Sequence, residues 1–356
     1  MDVLYPGLIH IDGRVYCDYN SSQDQQQYND ELYHEIGEYD DFTLEQADDV
    51  DGINETEITC TADGKFKATL KAPSALFKYI IGIKGSTKRS LESETKSRIE
   101  IPKRGCEGDI IITASEKSGA ISARNRIELI ISEKRWKHPF THFISIPLSN
   151  EKVVGKIKDF EEKVVDRFAT SRGVSKSLFQ TAPKLHLTIC TLVLLNQEEV
   201  QKAKEVLKRC RPRILELLEG NTLDIVLEGL EYMNDDPTEV DVLYGKVRCK
   251  DGSDNLQTIV DHLDTTFTDA ELSGKQYDRV KLHATLLNTT FRKVEGAKAT
   301  RGGGRMRESF DATKILTAFR NFSFGCIRVN EIHISERHST AANGYYSATD
   351  LMQLLE

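Results

Sequence analysis

The chain has 356 residues, 39% of them hydrophobic and 29% charged, with a formal net charge of −8. That length allows two or three domains with a proper core, and no apolar run reaches the length of a membrane span. The start, Met1-Asp2-Val3-Leu4-Tyr5-Pro6, lacks the layout of a signal peptide, so an intracellular protein is expected; the seven scattered cysteines support neither a disulfide framework nor a cysteine-based zinc site.

The acidity is an N-terminal property. Residues 1 to 64 hold 17 acids against one base, Arg14, whereas residues 65 to 137 carry 17 Lys and Arg against eight acids. Residues 3 to 16 are apolar enough for a short strand or a docking motif. The rest of the 1–64 segment has a composition that buries little apolar area and predicts a largely disordered stretch, serving as a partner-binding arm, an internal competitor for the basic block or a solubilising tail.

Within the basic block, residues 66 to 70 alternate like a strand, and Pro73-Ser74 starts a helix that stops at Gly82-Ile83-Lys84-Gly85. A second helix follows from Ser86 or Thr87, then strands at 98–102 and 109–113 and an amphipathic helix over 119–133. This order, β-α-α-β-β-α with GxxG between the first two helices, resembles a KH domain spanning 65–136. In that family the loop clamps the backbone of unpaired nucleotides, because glycines let phosphates approach closely. The resemblance implies Gly82, Ile83, Lys84 and Gly85 as contact residues, with Lys88 and Arg89 as supporting positive charge. The ligand implied is single-stranded RNA, with single-stranded DNA as the alternative.

Pro139 marks a boundary, and residues 137–356 form a second unit. Strands are expected at 140–148, 185–195, 223–227, 240–247, 279–287 and 330–336, helices at 153–168, 197–218 and 254–267, a turn at 231–237, and a short C-terminal helix at 351–355. Two of the strands carry one pattern twice, Lys184-Leu185-His186-Leu187-Thr188-Ile189 and, 97 positions later, Lys281-Leu282-His283-Ala284-Thr285-Leu286. On a strand the apolar residues go to the core while His and Thr share the other face. The tripeptide alone is cheap. His338-Ser339-Thr340 is a decoy in a polar, turn-prone run without strand alternation. The shared context matters, as does the spacing: 44 positions separate His142 from His186, and 43 separate Val240 from His283. This predicts an internal duplication, with the motif strands facing each other across a central cleft. Between 291 and 309 lies a run with six Lys and Arg around Gly302-Gly303-Gly304, a candidate guide for a nucleic-acid backbone or a plain surface insertion.

On these motifs the second unit resembles a two-histidine (2H) phosphoesterase of the A-kinase-anchor-protein-like branch. The expected fold class is therefore α+β, a KH domain followed by a two-lobed 2H domain with an internal pseudo-two-fold repeat. A KH module fused directly to such a domain, with Tyr232-Met233-Asn234-Asp235-Asp236-Pro237 in the hairpin, resembles the KH–2H subunit family of the activating signal cointegrator 1 complex. That implies a nuclear protein working with the complex's helicase subunit in transcription and alkylation-damage repair.

The chemistry expected of His186, Thr188, His283 and Thr285 is phosphodiester cleavage without metal or other cofactor. One imidazole takes a proton from the nucleophile and the other donates to the leaving oxygen. The threonine hydroxyls donate to the non-bridging phosphate oxygens. Which histidine is acid and which base stays open. Two other classes compete: a catalytically quiet adaptor whose cleft only recognises phosphate, nucleotide or a protein partner, and a small-nucleotide enzyme with the KH module serving localisation.

Overall fold

The structure is a computed structural model that describes residues 7–11, 14–18, 58–103, 106–274, 278–292 and 308–354. The acidic stretch up to residue 57 and the basic run at 293–307 therefore lie largely or wholly outside the described residues. Where the sequence suggests one strand or a docking peptide, β1 (Gly7–Ile11) and β2 (Arg14–Asp18) pair antiparallel with Ile11 opposite Arg14.

The basic block folds as β3 (Ile58–Cys60), β4 (Phe66–Leu70), α1 (Phe77–Ile81), α2 (Ser86–Thr95), β5 (Ser97–Glu100), β6 (Ile110–Ala114) and α3 (Lys117–Trp136). Its sheet runs β3-β4-β6-β5. Ala68, Leu70, Phe77, Ile80, Leu91, Ile99, Ile110, Ile112 and Ile127 form the core between sheet and helices. Strand β3 is a correction, since it falls in the stretch assigned to the acidic segment. As an edge strand it needs little apolar surface, and Ile58 alone reaches the core.

The last helix ties the two units together. Arg135 Nη2 donates to Glu199 Oε1 at 2.6 Å and Nη1 to the Val193 carbonyl at 3.1 Å, with both charged side chains about 15% exposed. Trp136, the chain's one tryptophan, lies against Gly274.

In the second unit the strands are β7 (His142–Pro147), β8 (His186–Leu192), β9 (Leu223–Tyr232), β10 (Val242–Cys249), β11 (Ala284–Asn288), β12 (Ser323–Val329), β13 (Glu331–Glu336) and β14 (Ala348–Gln353). They form one sheet in the order β12-β9-β10-β11-β8-β7-β13-β14, so four strands belong to each half and the motif strands are the central pair. The helices are α4 (Glu151–Phe168), α5 (Gln197–Leu218), α6 (Asn255–Asp269) and α7 (Thr313–Ala318). Asn150 and Asn196 cap α4 and α5 by accepting from Val153 N and Glu199 N, which fixes where each helix begins.

The helices cross between halves. α4 leaves from β7 yet packs on β12 at the far edge of the other half, and α6 leaves from β10 and packs on β8. Phe160 on α4 is fully buried among the rings of Phe179, Phe319, Phe322 and Phe324. One continuous apolar core therefore spans both halves.

Two expectations are corrected. The motif strands do not face each other across a cleft; they lie side by side, antiparallel, joined at Ala284 and Leu187. The C-terminal residues extend as β14 along β13 instead of coiling, because Met352 and Leu354 turn inward while Leu351 is 41% exposed, a period of two.

Candidate functional site

The centre of the sheet sets the geometry. With Ala284 opposite Leu187, the antiparallel count puts His186 opposite Thr285 and Thr188 opposite His283. All four side chains then share the face opposite to Leu187 and Ala284, which are buried in the core. Directly opposed pairs have Cβ atoms roughly 5 Å apart, and the two histidines, on the diagonal, roughly 7–8 Å. That is space for one tetrahedral phosphate between two imidazoles.

Both imidazoles are oriented in the same way. Nδ1 of His186 lies 2.7 Å from the Lys184 carbonyl, and Nδ1 of His283 lies 2.7 Å from the Lys281 carbonyl. A carbonyl only accepts, so each Nδ1 carries the proton and each Nε2 is the free lone pair in the neutral ring. Nε2 of His186 lies 3.1 Å from Thr188 Oγ1, whose hydroxyl can donate to it.

Burial depresses the basicity of both rings. His186 is packed by Phe143 (centroids 5.2 Å), Tyr346 (5.4 Å) and Tyr345 (6.3 Å). This desolvation brings its pKa down to about 4, with the hydrogen bond to the Lys184 carbonyl opposing and the neighbouring His283 and Lys184 adding to the fall. His283 is 8% exposed, and burial lowers its pKa too, with its carbonyl bond opposing and Lys281 adding. At neutral pH the unliganded pair is uncharged.

A cavity of about 300 Å³ opens over the His186 half, lined by His186, Thr188, Lys184, Phe140, Phe143, Gln180, Arg337, His338 and Tyr346, with Thr290 and Phe291 from the other half. His283 and Thr285 sit beside it without lining it. The decoy tripeptide is a loop, as its composition suggests, yet it forms part of the wall: His338 lines the cavity, and Ser339 O and Thr340 Oγ1 accept from Lys184 Nζ at 2.9 and 2.8 Å. The aromatic wall and Arg337 carry no spacing signal in the sequence. Lys184 and Lys281 belong to the repeated pattern, which marked them without assigning a role.

In the KH unit, Gly82, Lys84 and Gly85 all have positive φ, at 71°, 52° and 78°. A Cβ on Gly82 would run into the Thr87 side chain, which is why glycine is required there. Ile83 projects, 82% exposed. Arg89 donates to the carbonyls of Gly85 and Lys84 at 3.2 and 3.1 Å, and Lys88 lies 3.8 Å from Glu92. Arg89 thus braces the loop. Arg292, read with the basic run, is engaged by Glu308 and the Gly173 carbonyl. Among the described residues no group of three or more His, Cys, Asp or Glu is arranged to hold a metal ion, and no helix is long and apolar enough to cross a membrane.

Comparison with known proteins agrees with this architecture. The family model for the AKAP7 2'5' RNA ligase-like domain matches residues 140–354, and that for the KH domain matches 67–129. Activating signal cointegrator 1 complex subunit 1 of Mus musculus is 41% identical over 359 residues, covering 98% of each chain. The chain belongs to the activating signal cointegrator 1 complex subunit 1 family. Other similar proteins are more distant. A-kinase anchor protein 7 isoform gamma of Homo sapiens is 26% identical over 98 residues, 28% of this chain and 27% of that one. Escherichia coli LigT in complex with ATP is 14% identical, covering 61% of this chain and 98% of its own, with a TM-score of 0.35. In this member of the subunit 1 family, the KH and 2H-like units share one polypeptide and are bridged by the Arg135 hydrogen bonds.

Proposed function

We propose that the chain is a single-stranded-RNA-binding 2H phosphodiesterase that acts by two-histidine acid–base chemistry, and that His186, Thr188, His283 and Thr285 are its catalytic residues. The observation that carries this is the pair of imidazoles on one sheet face, each with Nδ1–H fixed on a backbone carbonyl. Nε2 is the nitrogen each ring leaves available for the substrate.

His186, which burial holds neutral with its pKa near 4 and which lines the cavity, is the base. Its Nε2 takes the proton from a 2′-OH, or from water when the substrate is a 2′,3′-cyclic phosphate. The Thr188 hydroxyl that bonds Nε2 at rest turns to a non-bridging phosphate oxygen. His283 enters neutral and gains its proton as the anionic phosphate arrives, because a nearby negative charge favours imidazolium. It then protonates the leaving oxygen, and Thr285 donates to the second non-bridging oxygen. The KH loop at 82–85 holds the strand by its phosphates, with Ile83 offered to a base. The partner proposed with this reading is the helicase subunit of the activating signal cointegrator 1 complex, and the location proposed is nuclear; the likeness to subunit 1 of that complex supports membership of such a complex.

The test is incubation with single-stranded RNA in EDTA beside a His186→Ala, His283→Ala double variant. Turnover by the wild type and loss of it in the variant are expected; identical inertness of both would leave a phosphate-recognising adaptor as the better account. Comparing oligoribonucleotide with mononucleotide turnover separates the polymer from a small-nucleotide substrate.

A further inference from the structure

The two halves of the site share a feature outside the His-x-Thr pattern. In each, the lysine two residues before the histidine sends its ammonium over a tyrosine ring, and the same ring packs edge-on against that histidine. Lys184 Nζ lies 4.5 Å from the centroid of Tyr346, whose ring meets His186 at 5.4 Å and 86°. Lys281 Nζ lies 5.3 Å from the centroid of Tyr244, whose ring meets His283 at 5.6 Å and 70°. The tyrosines occupy unrelated positions: Tyr244 is in strand β10, next to the second motif strand, whereas Tyr346 precedes β14. Simple duplication of one segment does not produce this. Each motif lysine has found its own ring.

We propose that Lys184 and Lys281 are positioning residues, each clamping its motif histidine from two sides, through the backbone carbonyl that takes Nδ1–H and through a cation–π contact to the tyrosine that bounds the imidazole. The carbonyl fixes the tautomer and the tyrosine fixes the tilt. Holding a cation over the ring face stiffens the ring and keeps a positive charge near the imidazole without a bond to it. In the first half the clamp extends further, because Lys184 Nζ also bonds Ser339 O and Thr340 Oγ1 and so fastens the segment that carries Tyr346. Lys184 is half-buried and Lys281 exposed, so the first clamp is the stronger.

Other charged and titratable groups near each ring are accounted for. Around His186 they are His283 across the neighbouring strand, Tyr345, and Arg337 and His338 in the cavity wall. Around His283 they are His186 and Tyr244 with its Glu231 partner. Among the described residues, only Lys184 and Lys281 combine the carbonyl and the ring contact.

This deepens the phosphodiesterase reading, on which its kinetic arm rests, but the deciding measurement does not need turnover. The full chain is labelled at histidine 13Cε1, His186 and His283 are assigned by substitution, and each is titrated by NMR. Lys184→Met and Tyr346→Leu should each raise the His186 midpoint, by roughly half a pH unit for loss of the cation, and leave His283 in place. Lys184→Arg should keep the wild-type midpoint. Lys281→Met should move His283 in the same direction by less. An unmoved His186 in Lys184→Met, or a shift in Lys184→Met with none in Tyr346→Leu, overturns the clamp, the second because the charge would then act without the ring. In kinetics, kcat for Lys184→Met should fall on the order of tenfold with KM nearly unchanged, as for a mispositioned base. If the wild type turns over no RNA, the phosphodiesterase reading fails while the titration still decides the clamp.

Discussion

Holding His186 neutral inside its aromatic enclosure ties the stability of the fold to pH, and the size of the effect can be worked out. Burial brings its pKa from 6.5 to about 4. Below 6.5 the unfolded chain takes up a proton at this residue while the folded chain does not, so the contribution is fully present above 6.5 and is lost as pH falls toward 4. The whole shift corresponds to about 3 kcal/mol, and about 2 kcal/mol of it is already lost at pH 5. His186→Asn removes the titrating group while keeping an N–H to donate to the Lys184 carbonyl. Urea unfolding followed by circular dichroism at pH 7, 6 and 5 should show wild type losing about 2 kcal/mol more than the variant across that range. Parallel pH dependence in the two proteins would refute the desolvated histidine.

Further outcomes follow from the same geometry. With the pKa of His186 brought to about 4 and that of His283 lowered from its ordinary 6.5, the bell of kcat/KM against pH on an RNA substrate should peak below pH 6.5; a plateau extending to pH 8 would contradict it. Arg135→Ala should leave the half-buried Glu199 carboxylate without its partner, cost about 3 kcal/mol of interdomain stability and red-shift Trp136 fluorescence as the KH unit undocks. Gly82→Ala should push the loop off its positive-φ path, destabilise the KH unit by about 1–2 kcal/mol and abolish RNA binding in a gel-shift assay, while the 2H unit's histidine titrations stay unchanged.

Local periodicity carried much of the fold. Residues 66–70 and 197–218 are a strand and a helix over the expected bounds, since alternation in the first and the Asn196 cap with a 3.6-residue stripe in the second leave little choice. The same patterns put His and Thr of each motif on the face away from the core. What they do not contain is pairing. That β8 and β11 are neighbours and not opposing walls depends on pairing between segments nearly a hundred residues apart in sequence, which the local pattern at either motif does not encode. Residues 351–354 depart from the expected helix for a related reason: a short Leu-rich run suits a helix or a strand, and pairing with β13 decides. The aromatic wall at Phe143, Tyr345 and Tyr346 is invisible for want of any spacing rule linking it to His186.

The crossing of helices has a consequence for how the chain is made. Val153, Ile157, Phe160 and Val164 of α4 are buried, and α4 packs on β12, which begins about 155 residues after that helix ends. At roughly 5–20 residues per second, the ribosome delivers that partner some 8–30 s after the helix itself. The KH unit, complete by residue 136, can fold during that interval; the apolar stripe of α4 waits. Biogenesis of the 2H unit is thus a single late event, and the nascent chain offers a hydrophobic helix to chaperones until β12 has emerged.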